Sequence, residues 1–295
     1  MITFIDNHKA VHGVEPICRT LAIAPSTYYA ARVRPPSARQ VRDAAVSLDI
    51  ARIHKANYAV YGARKLWHAL RRGGTDIGRD QTGRLMHALG LAGAVRGKVK
   101  RTTVASELSP RPADLVERVF AAPAPNRLWV ADITYVSTWS GFVYTAFVID
   151  AFSRAIVGWR VSSSLRAELA LDALEMAIWS RRTANLGGLV HHSDRGVQYL
   201  AISYTERLED EGAVTSVGSK GDSYDNALAE TVNGLYKTEL IRARGPWRTA
   251  DQVELATAAW VAWWNAERLH SACGDIPPAE FEAAYHQRQA ATQAA

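Results

Sequence analysis

The apolar positions of this chain follow two different periods, and the change falls near residue 126. Over the first 95 residues they recur at helical spacing. Glu15–Leu21 predicts a short helix and Ile23-Ala24-Pro25 a break. Ser26 is then the expected N-cap of a second helix, STYYAARV, which Pro35-Pro36 ends. Val41–Asn57 is amphipathic. Tyr61–Arg72 turns Leu66 and Leu70 inward at i and i+4, leaves Arg64, Lys65, Arg71 and Arg72 largely on other faces, and stops at Gly73-Gly74. Asp80–Leu89 follows, closed by Gly90 and Gly93. The helices of segment 1–36 and those of segment 37–95 both have helix-turn-helix spacing.

Residues 96–125 read as a linker, RGKVKRTTVASELSPRP and then AAPAP. From Asn126 the pattern is that of strands. LWVADITYVST, FVYTAFVIDAF and RAIVGWRVS are separated by Trp139-Ser140-Gly141 and Phe152-Ser153-Arg154, turns short enough to imply an antiparallel meander. A helix over Arg166–Arg182, the strand GLVHHSD, a helix over Tyr199–Glu211, the short strand AVTSV and a long helix over Ala227–Leu240 complete the segment 126–245. The order β-β-β-α-β-α-β-α predicts an α/β domain with a mixed five-stranded sheet. By element order it resembles the ribonuclease H-like fold, here preceded by all-α helix-turn-helix segments. A C-terminal helical extension, 246–295, opens on TADQVELATAAWVAWWNAERL. Its Trp260, Trp263 and Trp264 are read as core, with a base-stacking platform as the alternative.

With 295 residues, 48% of them hydrophobic, the chain can bury a sizeable core and suggests about two domains. No apolar run approaches the length of a membrane span, and MITFIDNHKA lacks the pattern of a secretory signal. Cys18 and Cys273 read as reduced thiols of a cytosolic protein. The net charge of +6 is unevenly spread. Residues 1–120 carry 20 Lys+Arg against 9 Asp+Glu, a balance of +11, and residues 121–295 carry 15 against 20, a balance of −5. A basic front half points to a polyanion, most simply nucleic acid; an ordinary solvated basic face is the plainer alternative. Arg96, Lys98, Lys100 and Arg101 place four cations in six residues of the linker, either to track DNA phosphates or to solvate a tether.

Three carboxylates interrupt the α/β core. Asp132 sits inside LWVADITYV, Asp194 ends GLVHHSD, and Glu230 lies one turn into the helix of DNALAETVNGLYK. An acid inside a β-type apolar run is costly to bury unless it is paired or bound to metal. If the first and fourth strands are neighbours, Asp132 and Asp194 converge. Three crowded carboxylates cannot all stay ionised without cations, and oxygen ligands suit Mg²⁺ or Mn²⁺. Asp150, in VIDAFSR, is as readily a turn acid as a ligand. Of His191 and His192 only one can face the site, because strand side chains alternate. Ser193, Arg195, Gln198 and Tyr199 either shape the site or contact DNA, and Asn226 is a candidate cap for the helix of Glu230.

VADITYV, HHSDRGVQY and DNALAETVNGLYKTEL resemble the catalytic core of DDE transposases and retroviral integrases, a group in which 35 residues between the second Asp and the Glu is typical. Lys237 extends the likeness: seven residues turn a helix by about 700°, bringing it back to within about 20° of Glu230's face. The tail WWNAERLHSACGDIPPAEF resembles the family's closing Tyr-Asn-x-x-Arg-x-His segment, with Trp264 where Tyr is usual and Cys273 where Leu is usual. GVEPICRTLAIAPSTYY and YGARKLWHALRRGG resemble the leading part of the second-frame (OrfB) product of the third bacterial insertion-sequence family.

The resemblance implies a DNA transposase that cleaves a strand and transfers its 3′-hydroxyl end. Asp132, Asp194 and Glu230 would be both catalytic and metal-binding, holding two Mg²⁺ or Mn²⁺ ions about 3.5–4 Å apart. It implies double-stranded DNA, transposon ends and target, as partner, and a homo-oligomer of at least two chains, since two ends are joined. With no heptad run in the chain, a first-frame (OrfA) product or a frameshift fusion is a further expected partner. A cytoplasmic, nucleoid-associated protein without membrane contact follows. Lys237, Gln198 and Asn233 join Arg64, Lys65, Arg71, Arg72, Arg96, Lys98, Lys100 and Arg101 as expected DNA contacts. Two other readings stay open: a ribonuclease H-like nuclease that only hydrolyses, and a non-catalytic DNA-binding regulator, which needs none of the three acids.

Overall fold

The β-type runs after residue 126 form one sheet in the computed structural model of the chain. β1 (Leu128–Thr138), β2 (Gly141–Asp150) and β3 (Ile156–Ser162) make the expected antiparallel meander. β4 (Val190–Ser193) and β5 (Val214–Val217) add in parallel on the other side of β1, giving the order β3-β2-β1-β4-β5. This is the ribonuclease H-like mixed sheet, with β1 at its centre. The position suits β1, whose first four residues, Leu128 to Ala131, are all buried.

Helix α7 (Ala167–Ser180) and α8 (Ile202–Asp210) cover one face, where Leu169, Ala173 and Leu174 pack with Trp129, Ala131 and Val148. At Gly158 of β3, an added Cβ would run into the Ala173 carbonyl and approach the Ala177 backbone nitrogen to 2.8 Å. Gly158→Ala should therefore push α7 off the sheet and cost about 1–3 kcal/mol, read as a lowered thermal midpoint; an unchanged midpoint would contradict the close contact.

α9 (Ala227–Tyr236) and α11 (Ala250–Ala266) cover the other face. Tyr236 and Trp260 meet Phe147 at ring-centroid distances of 5.1 and 6.1 Å. Trp260, Trp263 and Trp264 are all buried, as the core reading expects, which leaves none of them for stacking on bases. The sequence expects one helix from Ala227 to Leu240. Instead the α-helix ends at Tyr236 and continues as a π-turn, Lys237–Ile241, before the single turn α10 (Arg242–Arg244). The widened turn buries Glu239 and Leu240 together.

The structure describes residues 1–96, 116, 120–194, 198–199, 201–217 and 226–293, in two compact units, Met1–Ile50 and Ala51–Ala295. The first unit contains α1 (Ile2–His12), which the sequence reading did not foresee, α2 (Val14–Thr20) and α3 (Pro25–Val33), around Ile5, Ile17, Cys18 and Tyr28. Ala24, not Ser26, stands at the N-cap of α3, with Pro25 at the first helical position, where its missing N–H is no loss. α4 spans Ala38–Ala56. In the second unit, α5 (Ala63–Arg72) buries Leu66 and Leu70, α6 (Arg79–Ala88) follows, and α12 (Pro278–Gln293) ends the description. Cys18 and Cys273 are free thiols. Among the described residues no helix is long and apolar enough to cross a membrane.

Candidate active site

Strand register brings the first two carboxylates together. β4 pairs with β1 from Leu128↔Val190 to Ala131↔Ser193. Asp132 and Asp194 are the next residue on each strand, one step beyond the last pair, so their backbones lie about one strand spacing, ~4.8 Å, apart. β4 stops there, and among the described residues none pairs with the edge of β1 from Asp132 onward on that side. Glu230 is in the first turn of α9, which packs on β1, and is solvent-exposed.

Asp132 is held at both oxygens. Its Oδ1 accepts the N–H of Ile133 and its Oδ2 accepts Nδ2 of Asn233, each at 2.8 Å. Burial, then the charges of Asp194 and Glu230, hold its carboxyl well above the usual range; the two hydrogen bonds pull the other way. Asp132 therefore feels both of the other acids. Asn226 does not cap α9 through its side chain. Its Nδ2 donates instead to the Ala131 carbonyl at 2.9 Å, tying the start of the helix to β1 one residue before Asp132. Asn226 and Asn233 thus fasten α9 to β1 on either side of Glu230, a role the sequence signalled only by amide side chains flanking the acid.

Lys237 keeps its α-helical spacing from Glu230, because the π-turn begins only there. Its Nζ lies 4.4 Å from the Tyr135 ring centroid. Burial and the nearby Arg242 hold its ammonium below the usual value, while Asp132 opposes them. Tyr199 is buried beside the acids, and burial followed by Asp194 raises its phenol well above normal. Both histidines are buried: Nε2 of His191 faces the Tyr204 hydroxyl at 3.0 Å, and Nδ1 of His192 faces Oγ of Ser216 at 2.9 Å. Burial pushes His191 down to about 3, so it is a neutral core residue. Asp150 is the turn acid, accepting the backbone N–H groups of Asn126, Phe152 and Ser153.

The predicted DNA contacts are dispersed. Arg96 donates to the Glu230 carbonyl at 3.5 Å and lies over Gly234, where a side chain would strike its guanidinium. Arg64 pairs with Asp275 at 2.8 Å and Arg72 with Glu280 at 2.6 Å, while Arg71 lies 5.4 Å from the Trp67 ring centroid. Gln198 donates to the Leu165 carbonyl at 3.3 Å. Lys98, Lys100, Arg101 and Arg195 lie outside the described residues.

Lys65 is half-buried, 5.2 Å from the Tyr61 ring centroid, and burial followed by Arg268 pushes its ammonium down to about 7. The unfolded chain then binds a proton at Lys65 that the folded chain resists. Stability should rise as pH climbs from about 7 toward the ordinary lysine value of 10.5. Lys65→Met should flatten that rise in thermal melts taken across the window, and an equally steep profile would contradict the placement.

The groups that the three acids offer to a metal are all carboxylate oxygens. Among the described residues no three His, Cys, Asp or Glu side chains already stand in ligating geometry. The site does offer crowded carboxylates and three buried oxygens, Tyr199 Oη, Asn226 Oδ1 and Asn233 Oδ1, that have no hydrogen-bond partner among the described residues. Hard oxygen donors whose neighbours still need partners fit Mg²⁺ or Mn²⁺ chemistry.

The sheet order and strand directions define the fold class, a ribonuclease H-like core. Integrase core domain families match residues 122–223 and 211–278, and an HTH-like domain family matches residues 40–99. The chain is 56% identical over 273 residues to a protein of insertion sequence element IS986/IS6110 from Mycobacterium tuberculosis, covering 91% of this chain and 98% of the relative. It is 50% identical over 291 residues to the transposase for insertion sequence element IS629 from Shigella sonnei, covering 97% of each. Over 284 residues it is 32% identical to transposase InsF for insertion sequence IS3A from Escherichia coli, covering 95% of this chain and 97% of InsF. The chain belongs to the insertion-sequence transposases with an integrase core domain.

Proposed function

We propose that this transposase cleaves and joins DNA strands at Asp132, Asp194 and Glu230. The observation that supports this most is the parallel register that makes Asp132 and Asp194 neighbours at the end of β4, with Glu230 on the helix laid against them. The three carboxylates would hold Mg²⁺ or Mn²⁺, two ions per site in our reading. Bound divalent cations supply charge stabilisation at the reacting phosphate and acidify the attacking water or 3′-hydroxyl. The chain's own residues provide position and charge. Asn233 fixes Oδ2 of Asp132, Asn226 anchors the start of α9, and Lys237 offers a cation to a phosphate beside the acids. No covalent intermediate with the protein is needed, because orientation and charge carry phosphoryl transfer.

Around this core, 126–245, we place a helix-turn-helix-like segment at 1–36, a second at 37–95, a basic tether at 96–125 and a helical extension at 246–295. Double-stranded DNA, both transposon ends and target, is the partner. Arg64, Lys65, Arg71, Arg72, Arg96, Lys98, Lys100, Arg101, Gln198 and Asn233 remain its proposed contacts, and Arg64 and Arg72 would first have to leave their carboxylates. Joining two ends calls for at least a dimer, and a first-frame product or frameshift fusion is a further partner. The work would be done in the cytoplasm, on the nucleoid.

The test is strand transfer with labelled duplexes carrying the element's ends, in Mg²⁺ and in Mn²⁺. A joined product that Glu230→Gln removes is expected. Nicking without joining would favour the hydrolytic reading, and joining that survives Glu230→Gln would sink the assignment.

A further inference from the structure

A cation reaches the helix of Glu230 from outside the α/β core: Arg96, at the end of the segment that follows α6. That segment is pinned at successive residues. The Ala92 carbonyl faces Nε2 of the buried His54 at 3.2 Å, and the Ala94 N–H donates to the Val60 carbonyl at 3.0 Å. Between them Gly93 lies backbone to backbone on Gly62, so close that an added Cβ would come within 2.7 Å of the Gly62 Cα. Two residues further on, the Arg96 guanidinium lies across α9 at Gly234. The atoms nearest to a Cβ built at Gly234 all belong to that guanidinium, its carbon at 2.6 Å and Nε at 2.8 Å. The absent side chain is the seat of the guanidinium.

The seat is on the acid's side of the helix. Four residues turn an α-helix by about 400° and seven by about 700°, so Gly234 and Lys237 stand within about 40° and 20° of Glu230's direction. The stripe therefore carries an acid, a gap and a lysine. Arg96 fills the gap, with Nη2 3.5 Å from the Glu230 carbonyl. Its bonding differs from that of Arg64 and Arg72, which are paired with Asp275 and Glu280. Arg96 is solvent-exposed and has no carboxylate partner among the described residues. A guanidinium has five N–H donors, and one long bond to a carbonyl leaves most of the fork to an oxyanion. Glycine inside a helix is less favourable than alanine, so the choice of Gly234 is explained by the group that it admits.

We propose that Arg96 is a substrate-binding residue of the active site, a clamp seated in the gap at Gly234 that holds a DNA phosphate beside the one reacting at the carboxylates. This rests on the strand-transfer reading above and gives Arg96 a part in the reaction step, beyond its contribution to DNA affinity. The segment that carries Arg96 belongs to the HTH-like match, 40–99, and is pinned there by His54, Val60 and Gly62. The site is therefore complete only while that region is docked on α9.

The test measures the strand-joining rate of the full chain at saturating end duplex, beside its Kd for that duplex and its thermal midpoint. Arg96→Ala should lower the rate about 10–100-fold, the range for one hydrogen bond to a charged group, and weaken Kd by much less. Gly234→Ala keeps every charge and by itself favours the helix, yet its methyl group displaces the guanidinium. It should slow joining to a similar degree with the midpoint held or raised. The two changes together should be no slower than the slower single variant, since both remove one contact. Arg96→Lys should recover part of the rate. An unchanged rate at saturating DNA in Arg96→Ala overturns the clamp, whatever happens to Kd. So does full activity in Gly234→Ala, and so does a loss of rate that tracks a lowered midpoint in both variants, which would make Arg96 a brace on α9. In each of these cases wild type still joins strands and the transposase reading stands. Wild type that joins no strands in Mg²⁺ or Mn²⁺ overturns that reading and the clamp with it.

Discussion

Asp132→Asn should abolish strand cleavage and joining and, in the absence of divalent cations, make the protein more stable. The activity loss should be at least about 10²–10³-fold, the scale seen when one group that stabilises transition-state charge is removed. The stability gain follows from the site's electrostatics. Burial and the neighbouring charges of Asp194 and Glu230 disfavour the ionised form of Asp132, so the folded chain without cations holds an acid that it resists ionising. The amide keeps the shape and can keep the hydrogen bond from Ile133. Its new N–H group would face Asn233, whose Oδ1 is buried without a partner and can accept it if that amide turns over. In wild type, cations that bind the folded chain alone should raise the thermal midpoint, by up to about 2.7 kcal/mol in stability at a hundredfold excess over Kd. The variant should lose most of that response. Thermal melts with and without Mg²⁺, beside strand-transfer assays, measure both effects. A variant that still joins strands, or one destabilised without cations, would remove Asp132 from the centre of the site.

Much of this site is legible in the sequence, for physical reasons that differ between residues. Asp132 stood out because nothing in an apolar strand explains an acid, and the alternation around it fixed both the strand and its meander. The adjacency of Asp132 and Asp194 was a conditional expectation, since strand order and register are long-range facts; it took the pairing Ala131↔Ser193 to make them neighbours. Local spacing misled where a distant partner decides the outcome. Arg64 and Arg72 look like a free basic face on an isolated helix, but their carboxylates, Asp275 and Glu280, lie more than 200 residues away in sequence. Asn226 looked like a cap because a cap is the local option for an amide before a helix; the β1 carbonyl that it takes instead cannot be seen from neighbouring residues. The π-turn after Tyr236 leaves no mark on apolar periodicity, because it only re-aims the residues that follow it.

The tail motif shows how a family likeness becomes physical, and it carries the second large effect. Asn265 acts as a surrogate strand for the start of β3, accepting the N–H of Ile156 at 2.9 Å and donating to its carbonyl at 2.8 Å. Trp264, where Tyr is usual, donates its indole N–H to the Arg154 carbonyl, and Cys273 is buried against the Ser153 carbonyl, so both departures are packing solutions. Arg268 forks onto Glu239 through Nε at 3.0 Å and Nη2 at 2.6 Å, both side chains being 5% exposed, and its guanidinium stacks 4.4 Å from the Trp264 centroid. Glu239 lies in the π-turn that continues the helix of Glu230 and Lys237. Arg268→Ala should therefore cost about 3–5 kcal/mol, because it strands a buried carboxylate. For a unit of this size that lowers the thermal midpoint by about 6–20 °C. Arg268→Lys should recover only part of it, since an ammonium cannot supply the planar fork. The double change Arg268→Met with Glu239→Leu should be far milder than Arg268→Ala, because it removes both charges and leaves neither buried alone. A double-mutant cycle in thermal melts separates these outcomes. If the double variant is as unstable as Arg268→Ala, the loss comes from the packing of Arg268 on Trp264, and the ion pair is not what holds the helix of Glu230 to the tail.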